Sequence, residues 1–366
     1  MCDERLRTWS MYNCKCTDLT RDLHMSLHRI SEQSGEPLMT NISFPPRVAQ
    51  IGVGHWGRNL ARNFAQLGAL AAVVDPSPET ARREAEANRA AARSLEEVLR
   101  DPSIHGVAIA APAELHAELA MKAFAAGKHV FVEKPLALTL DDSRAMCDAA
   151  ARAGKALMVG HLLQYHPAFI RLMELVREGA IGGVRYAYSN RLSLGKLRIE
   201  ENALWSFAPH DLSMLLTIMG DRPEKVSGGG SSWITPGLED EFRVDMTFSG
   251  GRRAHVFAAW LHPFKEHRLV VVGEAGMLVF EDSAPNTEDK LKLYRHSVVW
   301  KGKVPEAVKS EPETIAFPAD EPLKQECRHF LDCCAGRTKP RTDGQEAMRV
   351  VETLLRAEGR LEVIKT

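Results

Sequence analysis

From Arg47 onward the apolar residues gather into short β-rich runs: RVAQIGV (47–53), LAAVVD (70–75), GVAIAA (106–111), KHVFVE (128–133) and KALMVG (155–160). Between them lie stretches whose apolar positions recur at helical spacing. Leu60, Phe64 and Leu67 mark the first, and the spacing predicts helices over 57–68, 78–90, 113–126 and 140–153. Strands and helices alternating in this way are βαβ units around a parallel sheet, and right-handed crossovers make that sheet doubly wound.

Past residue 165 the rhythm changes. A helix is predicted over 166–178, followed by longer runs with few helices between them: VRYAYSNRLSL, KVSGGGSSWI, EFRVDMTFS, RRAHVFAAWL, HRLVVVG and GMLVFED. Ser249-Gly250-Gly251 and Gly273-Glu274-Ala275-Gly276 read as hairpin turns, so the runs are predicted to pair as a large, mostly antiparallel open sheet. Helices over 322–336 and 344–359 close the chain. The expected fold class is α/β for residues 46–164 and α+β for residues 165–366. Residues 1–45 are polar and weakly periodic and run into Phe44-Pro45-Pro46, which predicts a loosely ordered extension, with Met25 and Met39 as alternative starts.

Composition narrows the function classes. The 366 residues exceed the size at which one core stops growing, so two domains are expected. With 47 basic and 48 acidic residues and no basic block, nucleic acid is not an expected partner. The N-terminus MCDERLRTWSMYNCKC lacks a signal-peptide core and no apolar run is long enough to span a bilayer, so a cytoplasmic protein with no membrane partner is expected. Cys2, Cys14, Cys16, Cys147, Cys327, Cys333 and Cys334 show neither CxxC spacing nor an even count, and are read as reduced thiols rather than disulfides or zinc ligands. No metal site is expected.

The first strand runs into Gly52-Val53-Gly54-His55-Trp56-Gly57 and then a helix, the G-x-G-x-x-G pattern in strand-turn-helix context. The first glycine permits the tight turn, the second lets backbone approach a pyrophosphate, and the third packs helix on strand. Phosphate charge would sit at the helix N-terminus, where free N–H groups point at it. Asp75, about twenty residues on at the end of the next strand, is placed to bond the adenosine ribose hydroxyls and to repel a 2′-phosphate. The cofactor expected is NAD, on a Rossmann domain. Ala111 and Pro112, leading to Glu114 and His116, end another strand on the same rim and are expected near the nicotinamide half. HVFVEKP (129–135) brings Glu133, Lys134 and Pro135 to that rim as well.

These words, Gly52 to Gly57, Ala111-Pro112 with His116, Glu133-Lys134-Pro135 and the later His210, together resemble the Gfo/Idh/MocA oxidoreductase family over residues 47–359. The resemblance implies an N-terminal Rossmann domain and a C-terminal open sheet with substrate on one face and a subunit interface, of a homodimer or homotetramer, on the other. It implies that Lys134 reaches the cleft beside the nicotinamide, that His55, Trp56, Glu133 and Gln164 line the cofactor pocket, and that the proline of the Glu-Lys-Pro word is cis. GHLLQYHP (160–167), NRLSLGK (190–196) and WSFAPHD (205–211) are similar to members that oxidise the 3-hydroxyl of UDP-N-acetylhexosamines. That likeness implies a UDP-N-acetylglucosamine 3-dehydrogenase feeding a PLP-dependent 3-aminotransferase, on the way to 2,3-diamino sugars of lipid A or surface polysaccharide; the 6-carboxylate sugar, UDP-N-acetylglucosaminuronate, is the alternative substrate. Substrate contacts are expected from Lys134, Tyr165, His166, Arg191, Lys196, Arg198, Asn202 and His210.

Many relatives carry an aspartate four residues before the catalytic histidine, where this chain has Ser206, so their acid-base roles do not transfer whole. Oxidation of a carbinol needs a base within hydrogen-bond reach of the hydroxyl. Pro209 reads as a first-turn residue of a helix, which puts His210 at the positive end of the dipole and favours neutral imidazole. His210 is then the base and Lys134 the polarising cation, with the reverse assignment open because nearby positive charge lowers a lysine pKa. Asp211 either orients His210 or caps the helix. A catalytically silent dinucleotide sensor is the reading from another class.

Overall fold

The computed structural model describes residues 45–195 and 197–361. The extension before Pro45, with Met25, Met39 and its three cysteines, lies outside the described residues, as does Lys196. The first half of the chain forms β1 (Val48–Ile51), α1 (Gly57–Gln66), β2 (Leu70–Val74), α2 (Pro78–Ala87), β3 (Ala91–Ala92), α3 (Leu95–Arg100), β4 (Gly106–Ile109), α4 (His116–Ala125), β5 (His129–Val132), α5 (Leu140–Ala153) and β6 (Leu157–Val159). The six strands are all parallel, in the order β3-β2-β1-β4-β5-β6. The order reverses between β1 and β4, and the crevice of a doubly wound sheet opens at the carboxyl ends of those two strands. The sequence pattern missed β3 and α3, which are too short for a periodic signal, although Ser94 and Glu97 form a reciprocal capping box at the α3 start.

The second half forms α6 (Pro167–Arg177), β7 (Val184–Leu192), α7 (Ala203–Met219), β8 (Lys225–Ser231), β9 (Glu241–Thr247), β10 (Arg253–Ala259), β11 (Glu266–Gly273), β12 (Met277–Glu281), β13 (Leu291–Tyr294), β14 (Ser297–Lys301), β15 (Val304–Val308), β16 (Glu313–Thr314), α8 (Pro322–Cys334) and α9 (Gly344–Ala357). Eight of these strands make one sheet, β16-β13-β12-β11-β7-β10-β9-β8, while β14 and β15 pair only with each other. Both predicted turns are there: Ser249–Gly251 joins antiparallel β9 and β10, and the Gly273 N–H donates to the Gly276 carbonyl between β11 and β12. The sheet is mixed rather than wholly antiparallel, because β7 and β10 run parallel. A parallel pair needs a crossover, and α7 lies in the connection that supplies it.

Alternation sets the two faces of this sheet. Phe242, Val244, Met246, Val256, Leu269, Val271, Leu278 and Phe280 are buried on the inner face, toward α7, and neighbouring positions on these strands point outward. On the first sheet, Leu60 and Phe64 of α1 and Phe330 of α8 cover one face, with Phe330 edge-on to Phe64 and Phe131 at centroid distances of 6.2 and 5.8 Å. Phe124 of α4 and Met146 of α5 cover the other. Cys147, Cys327, Cys333 and Cys334 are free thiols, as expected. No described helix is long and apolar enough to cross a membrane.

Candidate active site

Gly52 turns the chain out of β1 at φ +81°, and a Cβ there would lie 2.7 Å from the Ala110 carbonyl oxygen. A Cβ on Gly57 would run into the Gly52 carbonyl, so α1 can sit this close to β1 only with glycine at its first position. Gly54 faces open space, and His55 and Trp56 beside it are exposed. The start of α1 carries no side-chain cap and no acid in its first turn, which leaves its free N–H groups for an anion. Asp75 holds the loop: it accepts from the Val53 N–H (3.0 Å) and from the Ser77 N–H (3.0 Å). A dinucleotide fits this cradle, where Gly54 and the free N–H groups of α1 would hold a pyrophosphate and Asp75 would face the ribose.

At the end of β5, Glu133 accepts from the Trp56 indole N–H (2.5 Å) and from the Lys134 N–H (3.3 Å). Burial raises its carboxyl pKa from 4.5 to about 7, against those two bonds. The Lys134–Pro135 peptide is cis. His116 lies between the Pro135 carbonyl (Nδ1, 2.8 Å) and the Ala111 carbonyl (Nε2, 2.9 Å), which ties the β4 loop to the Glu-Lys-Pro turn. Burial outweighs both bonds and lowers the His116 pKa, so a neutral ring donates to one carbonyl at a time. His116 thus stands beneath the rim, while Ala111 and Pro112 form it.

Lys134 Nζ donates to the Ser206 carbonyl at 3.0 Å, which brings the Glu-Lys-Pro word to α7, one helical turn from His210. The structure corrects the expected start of that helix. α7 begins at Ala203, capped by Asn202, whose Oδ1 accepts from the Trp205 N–H (3.1 Å), and Pro209 lies inside it. Pro209 has no N–H for the Trp205 carbonyl and opens the turn on which Lys134 docks. His210 therefore does not sit at the positive end of the helix dipole. Its pKa still falls well below the ordinary value, through burial first and then the charges of Lys134 and Arg191. Lys134 is lowered as well, again by burial first, with Glu201 and Glu133 opposing and Arg198 and Arg191 assisting. Both side chains are only part-buried by surface, since each lies deep but opens into the cleft. His210 Nδ1 has no partner.

Asp211 neither caps α7 nor touches His210. It binds the Arg191 guanidinium and the Ser189 hydroxyl from β7, with Arg191 also 3.1 Å from His267 Nδ1. Asp282 stands 3.7 Å from both His267 and His166. Burial alone would raise the Asp282 pKa, but His267 and the positive charge of Arg191 hold it below the carboxylate range. Arg198 pairs with Glu201 at 3.2 Å. Lys134, His210, Arg191 and Arg198 thus converge between the carboxyl edge of the first sheet and the inner face of the second.

Other expected contacts are committed elsewhere. Tyr165 is buried, its hydroxyl 3.2 Å from Thr342 Oγ1, and Gln164 donates to Ser213 and Thr217 behind α7. Asn202 spends its amide on Glu239 and Glu358, and His166 caps α6 by accepting from the Ala168 N–H at 3.1 Å. Burial lowers the His166 pKa to about 4. Residues outside the expected set enter instead: His161 bonds Glu346 at 2.7 Å, and Glu201, His267 and Asp282 surround the cations. His161 lay in a quoted motif; His267 opens the run HRLVVVG and Asp282 ends the run GMLVFED, both read only as strands, and Glu201 precedes a helix with no local signal. No cluster of potential metal ligands occurs among the described residues.

Two family models match the chain: "Oxidoreductase family, NAD-binding Rossmann fold" over residues 46–161 and "GFO/IDH/MocA C-terminal domain" over residues 169–279. UDP-N-acetylglucosamine 3-dehydrogenase of Acidithiobacillus ferrooxidans is 27% identical over 318 residues, covering 86% of this chain and 97% of that protein. Its crystal structure superposes with a TM-score of 0.75 at 25% identity. A protein described as an oxidoreductase, from Magnetospirillum magnetotacticum MS-1, superposes at 0.73 with 30% identity, covering 86% of this chain and 99% of its own. The 2,7-anhydro-N-acetylneuraminate hydratase of Escherichia coli K12 is 29% identical, but the match spans 62% of this chain and 65% of that relative. The chain belongs to the Gfo/Idh/MocA family of oxidoreductases, and its first sheet is the family's NAD-binding Rossmann fold.

Proposed function

We propose that this protein oxidises the 3-hydroxyl of UDP-N-acetylglucosamine to the 3-keto sugar in the cytoplasm, feeding a PLP-dependent 3-aminotransferase. The observation that carries the reading is the docking of Lys134 on the Ser206 carbonyl, which holds an amine and the His210 imidazole one turn apart at the mouth of the Rossmann crevice. Bound NAD would supply the hydride acceptor for C3. The protein's own task is to bind the sugar, take the hydroxyl proton and exclude water. His210, kept neutral by burial and by neighbouring cations, takes the proton; Lys134 donates to the C3 oxygen and favours its loss as alkoxide develops. Lys134, whose pKa is also lowered, is the other candidate for the base. Arg191, fixed by Asp211, is the diphosphate contact. Support for the substrate comes from the 3-dehydrogenase relative, 27% identical over 97% of its own length and 86% of this chain.

One feature favours a second substrate. Arg198 pairs with Glu201 but leaves Nε buried and unpartnered, the kind of cation a 6-carboxylate would engage. Enzyme and NAD incubated with UDP-N-acetylglucosamine or with its uronate, plus a 3-aminotransferase and glutamate, should form a 3-amino sugar from the first. Product from the uronate alone would reassign the substrate, and product from neither would favour the silent sensor. We also propose a homodimer or homotetramer joined through the outer sheet face, where Tyr188 and His255 stack with their planes 4° apart and Tyr186 is exposed.

A further inference from the structure

Two turns beyond His210 on α7, a cavity of about 560 Å³ that no residue of the glycine loop or the Glu-Lys-Pro turn lines opens between α6, α7 and α9. That volume lies in the range of small-molecule sites. Phe169, Met173 and Leu216 supply apolar wall, and Gln164 supplies a polar one. Arg177 at the end of α6, Arg341, and Arg349 on α9 bring three guanidiniums to the same space.

Arg341 is committed: it donates to the Gln164 carbonyl at 2.7 Å, and its guanidinium carbon lies 5.1 Å from the Tyr165 ring centre. The guanidiniums of Arg177 and Arg349 make no hydrogen bond or ion pair among the described residues. The neighbouring arginines on the same helices do not behave this way. Arg171 of α6 pairs with Glu174 and Glu178, and Arg356 of α9 donates to the Pro223 and Glu224 carbonyls.

The two acids of the lining offset this charge only in part, three guanidiniums facing two carboxylates that have partners of their own. Glu346 turns inward, one oxygen taken by the Ser213 hydroxyl (2.7 Å) and the other by His161 (2.7 Å). Asp343 caps α9 by accepting from the Glu346 N–H at 2.8 Å. The space thus combines an apolar wall with two uncommitted, planar, bidentate donors, the groups that recognise carboxylate and phosphate.

We propose that this cavity is a second ligand site, for a small organic anion with a carboxylate or phosphate on an apolar body. The inference goes beyond the proposed reaction and does not rest on it. The lining carries no cysteine, histidine or lysine, and the proposal is for binding. Its wall is shared with the catalytic region: Gln164 donates to Ser213, Ser213 to Glu346, and Glu346 holds His161, which follows Gly160 packed against the Glu133 carboxylate.

The test uses the full chain with NAD saturating, so that no probe enters the pyrophosphate cradle. Phenyl phosphate, phenylacetate and neutral benzyl alcohol are titrated calorimetrically into wild type, the Arg177→Gln/Arg349→Gln variant, each single variant, and Arg198→Gln in the cleft. One or both anions should bind wild type and Arg198→Gln alike, and bind the double variant about tenfold or more weakly, as expected for losing charge-assisted hydrogen bonds. The single variants should fall between, and benzyl alcohol should not bind. The tighter anion tells phosphate from carboxylate. Binding of neither anion, binding unchanged in the double variant, or binding lost with Arg198→Gln overturns the proposal.

Discussion

Asp211→Ala is the substitution whose consequence the geometry fixes best. Asp211 is 1% exposed and receives the Arg191 guanidinium and the Ser189 hydroxyl on its two oxygens. Without the carboxylate, Arg191, whose side chain is 10% exposed, keeps His267 Nδ1 at 3.1 Å and the nearby charge of Asp282 among the described residues, while Ser189 retains the Arg268 carbonyl at 3.3 Å. Removing one member of a buried ion pair costs about 3–5 kcal/mol, because the surviving charge stays desolvated. Arg191 borders the cleft and can recruit water there, so the lower end, about 3 kcal/mol, is expected. Urea unfolding reads it as a lower midpoint with unchanged slope. Arg191→Met/Asp211→Leu should recover most of the loss, since a well-packed apolar pair replaces a buried ion pair at little net cost. That stable double variant then isolates the role of Arg191 in binding: KM for the nucleotide sugar should rise about tenfold or more while kcat changes less. A cost under about 1 kcal/mol for Asp211→Ala, or a double variant no more stable than the single, would refute the reasoning.

Lys134→Met and His210→Asn should each lower kcat by about 10²- to 10⁴-fold in an NADH-absorbance assay with the sugar still bound, and near-normal turnover in either would remove that residue from the chemistry. Because the base must be unprotonated and both candidates are shifted downward, the acid limb of kcat against pH should lie below the ordinary pKa of whichever residue acts. Glu133 gives a stability signature of defined sign. Its pKa is raised from 4.5 to about 7, so the folded chain binds this proton more tightly than the unfolded one, and stability falls as pH rises through that window. In the nucleotide-free protein, the Tm of wild type minus that of Glu133→Gln should therefore decline between about pH 5 and 7; a flat difference would contradict the shift. Burial raises the thiols of Cys147 to about 11 and Cys333 to about 12, and pushes Cys327 and Cys334 well above their ordinary value. At pH 8 a thiol reagent followed by peptide mass mapping should leave these four unmodified until the protein is unfolded.

The Rossmann half was legible because its strands are buried on both faces and its loop glycines answer to steric demands, as at Gly52 and Gly57. The second sheet was legible as strands but not in its pairing, since nothing local to β7 or β10 records that they lie side by side in parallel. Within the site, Lys134 and His210 stood out only together and through the family resemblance. The partners of Tyr165, Gln164 and Asn202 were not legible for one reason: the side-chain direction at these positions follows Thr342, Ser213 and Glu239, far away in the chain. The α7 start was misread because proline favours a first turn, yet Asn202 caps the helix seven residues earlier and Pro209 is tolerated inside it. The Arg191–Asp211 pair escaped notice because a strand residue and a helix residue twenty positions apart carry no shared periodicity.

The most direct measurement of the central claim is product analysis after a single incubation. UDP-N-acetylglucosamine deuterated at C3 is given to the wild-type enzyme with NAD, and the reduced cofactor and trapped sugar are examined by mass spectrometry. The account predicts one deuterium on the reduced nicotinamide for each 3-keto sugar formed, and transfer slowed about 10²- to 10⁴-fold with Lys134→Met. Deuterium retained on the sugar while NAD stays oxidised, or unlabelled reduced cofactor formed while C3 keeps its deuterium, would contradict it.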